Sequence, residues 1–233
     1  MPDFNRDSVI KPGLFGENCA ADMRRGEFDF GNESLLAEGT RPGVVLIGDS
    51  ITHLWEVQAY FGASGRILIN RGIGGDITTN VRRRFEADAL QLKPGLIVML
   101  IGTNDMGWDV PALNDAISDT VLGNIAAMAD SAKAAGIAIA VASILPIWGP
   151  PWCPEEFSAL KNAQIAAANP RLKQLCEDHG AIYVDYHTPF LGENGEMRRE
   201  LADDGVHPHC AGYAIMAKAL KEALVSAGIE ILG

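Results

Sequence analysis

Basic residues are scarce in this chain. Nineteen Lys and Arg stand against thirty Asp and Glu in 233 residues, a formal net charge of −11. That balance argues against a nucleic-acid partner, since neutralising phosphates takes clustered cations. The one dense basic run, Arg82-Arg83-Arg84, falls in a segment that reads as helix and is expected to be a solvated helix face. Cysteine is sparse too: Cys19, Cys153, Cys176 and Cys210 contain no Cys-x-x-Cys pair, which fits reduced thiols better than a disulfide framework. No apolar run reaches the ~20 residues of a membrane span. The opening residues lack the basic-then-apolar order of a secretory leader, so a cytoplasmic location is the default expectation. Neither Gly-x-Gly-x-x-Gly nor a Walker Gly-Lys-Ser/Thr occurs, which disfavours nucleotide binding.

What remains is a chain with 48% hydrophobic and 21% charged residues, the composition of a folded globular protein, and long enough to bury a core without a disulfide or metal. Short β-branched apolar runs recur at 43–48, 67–70, 96–101, 137–144 and 181–185. The first is apolar on both faces, as a buried parallel strand is. Between them, 76–85, 115–135, 155–179 and 212–227 read as helices, with a break or kink expected at Asn169-Pro170. Strand and helix in alternation predict a three-layer α/β/α sandwich with a five-stranded parallel sheet. Residues 41–233 read as one domain. Residues 1–40 show little periodicity before Glu33–Ala37 and read as an arm or short helix packed on the domain or on a neighbouring subunit of a homo-oligomer.

In an open parallel sheet, ligands bind beyond the carboxyl ends of the strands, so the residues following each run carry the chemistry. After the first comes Gly48-Asp49-Ser50, after the second Gly72-Ile73-Gly74-Gly75-Asp76, and after the third Gly102-Thr103-Asn104-Asp105. Asp203-Asp204-Gly205-Val206-His207-Pro208 precedes the last helix. Ser50 is either a helix N-cap or a nucleophile. His207 is the candidate general base, and Asp204, with Asp203 as its rival, the group that fixes the imidazole tautomer. Backbone N–H groups of Ser50 and Gly75 and the side-chain amide of Asn104 are candidate oxyanion donors, with a turn role as the alternative for Asn104. His207, His209 and Cys210 match no common zinc spacing, so no metal is expected, and acyl transfer of this kind needs no cofactor.

These four blocks, in this order between residue 43 and about 213, resemble those of the GDSL or SGNH hydrolase family. The resemblance implies a flavodoxin-like SGNH hydrolase fold, Ser50, Asp204 and His207 as a triad, and Ser50, Gly75 and Asn104 as the oxyanion hole. One departure is Ile51, which stands where the family's name has leucine. The Gly-Asp-Ser-Ile-Thr variant with a Trp nearby is similar to platelet-activating-factor acetylhydrolase catalytic subunits and to bacterial carbohydrate acetylesterases. A short acyl ester, acetyl on a carbohydrate, is therefore the expected substrate. A lysophospholipid or thioester, or a non-catalytic binding role on the same fold, is the alternative. Trp148, Trp152 and Trp55 are candidate substrate contacts or packing residues, as is Trp108.

Overall fold

The computed structural model describes residues 4–17, 19–107, 113–150 and 153–232, and of Met23 the backbone only. Five strands, β1 (Val44–Gly48), β2 (Leu68–Gly72), β3 (Leu96–Leu100), β4 (Ala138–Ala142) and β5 (Ile182–Val184), pair in parallel in the order β2-β1-β3-β4-β5. The predicted α/β sandwich with a five-stranded parallel sheet is the observed architecture. Every residue of β1 and β3 is buried, which is why their sequences carry no polar alternation.

Alternation along these strands instead sorts side chains between two cores. Val44, Leu46, Leu96, Val98 and Leu100 join one, together with residues of α3 (Val57–Phe61) and α8 (Cys210–Ser226). Val45, Ile47, Ile97 and Met99 join the other, under α4 (Thr78–Asp88), α5 (Asp115–Ala134) and α6 (Glu155–His179). Each such side chain contributes about 1.5–3 kcal/mol on leaving water.

Strand order reverses at β1: the chain steps outward to β2, then back across β1 to β3. The carboxyl ends of β1 and β3 therefore flank a topological switch point, where the crevice of such sheets opens. Gly48 permits this closeness, because a Cβ there would stand 2.0 Å from the Leu100 carbonyl oxygen.

Three expectations need correction. The helix predicted to break at Asn169-Pro170 runs unbroken from Glu155 to His179 with Pro170 inside it. Asn169 explains how: its side chain donates to the Ile144 carbonyl and accepts from the Ile144 N–H, both at 2.9 Å, tying that turn to the chain beyond β4. Asn162, two turns earlier, binds both backbone groups of Ile147 in the same way at 2.8 and 2.9 Å.

The basic run is a solvated face only in part, since Arg82 and Arg83 are exposed and Arg84 is not. Arg84 is fully buried between Asp76 and Asp88, and it also donates to the Gly48 and Arg71 carbonyls. Arg82, though exposed, reaches Asn124 on α5, and Arg83, also exposed, lies over the Phe15 ring.

Third, α1 (Asp22–Ala37) is a 16-residue helix, longer than the weak periodicity predicts. Its buried positions are Arg25, Phe28 and Asn32, spaced as one helix face but mostly polar. Asn32 donates to Ala87 O and Asp88 and accepts from Arg71, so hydrogen bonds join the partly buried Leu35 and Leu36 in docking the helix.

Candidate active site

α2 (Ser50–His53) begins directly after β1. Its cap is Asp49, whose carboxylate accepts the Ile51 N–H at 2.9 Å. Ser50 is therefore the first helical residue and not the cap, and its hydroxyl has no duty to the helix. It donates instead to His207 Nε2 at 2.7 Å, and His207 Nδ1 donates to Asp204 Oδ2 at 2.6 Å, the tautomer in which Nε2 is free to accept. The other Asp204 oxygen accepts the backbone N–H groups of Val206 at 2.9 Å and His207 at 2.8 Å, so carboxylate and imidazole are fixed by one tight turn. Of the two rival aspartates, Asp204 is the one on the ring; Asp203 is exposed. Partial burial would push the Asp204 carboxyl up, but the His207 and Val206 N–H groups and the His207 ring together hold it below its ordinary value.

Gly205 gives that turn its shape. Its φ is +85°, and a Cβ there would lie 2.1 Å from the Trp148 carbonyl oxygen. Trp148 N–H donates to Gly205 O at 3.0 Å and its indole Nε1 to Ala202 O at 2.9 Å, while Arg199 stacks on its ring. Trp148 thus braces the His207 loop, which engages its indole N–H. Trp55 is a correction: it is 4% exposed, packed against Tyr60, Phe61, Tyr186 and Tyr213, and belongs to the core. Trp152 and Trp108 lie outside the described residues.

The candidate oxyanion donors lie at the ends of β1, β2 and β3. Among the described residues, neither the Ser50 nor the Gly75 backbone N–H donates to another group. Gly75, at φ +77°, forms the end of a turn closed by the Asp76 N–H on Ile73 O. Asn104 Nδ2 donates one hydrogen to Asp76 O at 2.9 Å, which ties the loop after β3 to the loop after β2 and leaves its second amide hydrogen for a ligand. The Asp105 carboxylate adds a second tie, accepting from Thr78 N–H and Oγ1 at the start of α4. Beside Asn104 opens a cavity of about 460 Å³ lined by Ile77, Thr79, Asp105, Ile117 and Thr120.

Below this surface the charges are unusual. Burial pushes Asp49 up to about 7 against the Ile51 N–H, with Asp105 and Asp76 adding to the rise. Burial also raises Asp76 and Asp105, in spite of Arg84 on the first and Thr78 on the second. Several contributors carry no sequence signal. Ala20 lies against Gly75, where a Cβ would come within 3.2 Å of it, and Arg24 donates to Gly72 O at 2.9 Å, so the start of α1 walls the Gly72–Gly75 loop. His209 is the cap of α8, accepting the Ala211 N–H. The four cysteines are unpaired with one another.

Comparison with known proteins bears on the family and the fold. The model of the GDSL-like lipase/acylhydrolase family matches residues 46–215. The solved structure of a GDSL-like lipase from Bacteroides thetaiotaomicron is 33% identical, with a TM-score of 0.72 over 87% of this chain and 97% of that one. An acetylxylan esterase of Geobacillus stearothermophilus is 25% identical over 70% of this chain and 74% of its own length. The solved structure of an acetylxylan esterase from that organism, 22% identical with a TM-score of 0.63 over 82% of this chain and 96% of the other, shares the fold.

Proposed function

Because the chain belongs to the GDSL-like lipase/acylhydrolase family and is a serine ester hydrolase, we propose that it removes short acyl groups, acetyl first, from the hydroxyls of a carbohydrate. The observation that carries the mechanism is the unbroken line from Ser50 Oγ through His207 to Asp204, with links of 2.7 and 2.6 Å. His207 Nε2 takes the Ser50 proton as Oγ attacks the ester carbonyl, and Asp204 stabilises the imidazolium that results. The carbonyl oxygen becomes an oxyanion and is received by the Ser50 and Gly75 N–H groups and the remaining Asn104 hydrogen. His207 then returns the proton to the departing sugar hydroxyl. Water repeats the cycle on the acyl-serine, releasing acid and restoring Ser50. The likeness to an acetylxylan esterase supports acetyl as the acyl group and a polysaccharide hydroxyl as its carrier.

The acyl preference is tested on p-nitrophenyl esters and on acetylated xylan. Acetate and propionate esters are expected to turn over at least about tenfold faster than octanoate, a difference of roughly 1.4 kcal/mol in the barrier, and free acetate is expected to be released from the xylan. Faster turnover of octanoate would overturn the short-acyl reading and point to a lipid ester.

The pH dependence follows from the proton His207 must accept. kcat/KM is expected to fall tenfold per unit on the acid side as the imidazole becomes protonated. Asp204, held below its ordinary range, stays ionised through that limb and contributes no second step there. Activity that stays level throughout the acid limb counts against His207 as the base.

A further inference from the structure

Fully buried ammonium groups are rare, because removing one from water is costly. Lys161, in the second turn of α6, is 3% exposed. Burial draws its pKa down to about 7, against the opposing influence of Cys153, Asp49 and Asp105. Its Nζ donates to Thr103 O at 2.6 Å and to Gly107 O at 2.8 Å. The first of these carbonyls immediately precedes Asn104, and the second closes the turn in which Gly107 N–H donates to Asn104 O. Carbonyls at the rim of a crevice are ordinarily left to water. Here a buried lysine amine from another layer of the fold takes both of them.

Resting on the esterase reading above, we propose that Lys161 is a positioning residue for the reaction: by gripping the loop on both sides of Asn104, it fixes the amide that serves as third oxyanion donor. Asn104 Nδ2 already spends one hydrogen on Asp76 O, so the direction of the second is set by where the loop stands. Two hydrogen bonds from one buried amine fix the loop on either side of Asn104, and an oxyanion donor displaced from its position loses most of its effect on rate.

The test is a two-background comparison on p-nitrophenyl acetate with the full chain. Asn104→Ala is expected to lower kcat by about 10²–10³-fold. Lys161→Met is expected to lower kcat by about 10–100-fold with KM within about threefold, because the interaction is realised in the transition state. In the Asn104→Ala background the same Lys161 change is expected to cost no more than about threefold, since the residue it positions is gone. Equal losses in both backgrounds, or a wild-type kcat in a Lys161→Met protein with a cooperative melt, would overturn the proposal. Should Lys161→Met fail to fold, Lys161→Gln, which keeps an N–H donor without the charge, goes through the same comparison. Ser50→Ala separates the two levels: turnover that survives it defeats the esterase reading itself, whereas equal losses at Lys161 defeat only its part in it.

Discussion

Replacing Ser50 by alanine is expected to lower kcat on p-nitrophenyl acetate by at least about 10⁴-fold while the protein melts within about 2 °C of the wild type. The first half follows from the chemistry. Without Oγ no acyl-enzyme forms, and what is left is the help that oxyanion donors and binding give to direct attack by water, a residue of about 10³–10⁴ over the uncatalysed rate in serine hydrolases stripped of their nucleophile. The second half follows from the cap. Asp49, not Ser50, satisfies the first turn of α2, so the cost of up to about 2 kcal/mol that follows loss of a capping side chain does not arise. A large fall in Tm, or retention of more than about one per cent of the activity, would falsify this assignment of duties. Burst kinetics supply an independent check, since stoichiometric release of p-nitrophenol ahead of the steady state requires the covalent intermediate.

The second large effect concerns stability. Arg84→Met is expected to destabilise the fold by about 3–5 kcal/mol, because it strips a buried ion group of its cation and leaves Asp76 and Asp88 facing each other without water. For a domain of this size that is a drop in Tm of roughly 6–20 °C. The pH dependence of the loss identifies its cause. Burial already raises both carboxyls, and without Arg84 they rise further. A carboxyl whose pKa is higher folded than unfolded binds more protons in the folded state, so the variant gains stability relative to wild type as pH falls and loses it as pH rises through the folded value. Melts between pH 5 and 8 that show a constant difference, or a change below about 2 °C, would show that the Arg84 group is not what holds this corner of the fold.

Much of the molecule was legible before its structure. The strands announced themselves because residues buried on both faces have no polar positions to spare, as in Val44–Gly48 and Leu96–Leu100. The residues at the crevice were legible because several blocks, each ordinary alone, follow the strands in one order: a serine at a strand-to-helix turn, a Gly-rich loop, and an Asp-Gly-Val-His turn. What stayed hidden was held by polar groups turned inward. Arg84 and Lys161 look like solvent-facing charges in one dimension, and only packing of α4 and α6 against their neighbours buries them. The helix over Asp22–Ala37 escaped because its docking face is Arg25, Phe28 and Asn32, which no hydrophobic periodicity detects. Trp55 read equally as a substrate contact or a packing residue, and only the fold decides: the side chain belongs to the core.

Lys161 and Asn162 are consecutive on α6, and each secures a different bank of the crevice. Lys161 holds the Thr103–Gly107 loop with Asn104 on it. Asn162 holds Ile147, whose neighbour Trp148 holds Gly205 and with it the His207 turn. The span between His207 and Asn104 is therefore gauged by two consecutive residues of one helix. A slip of α6 along its axis would carry both banks together, so the gap works as a fixed caliper whose jaws share one rigid bar.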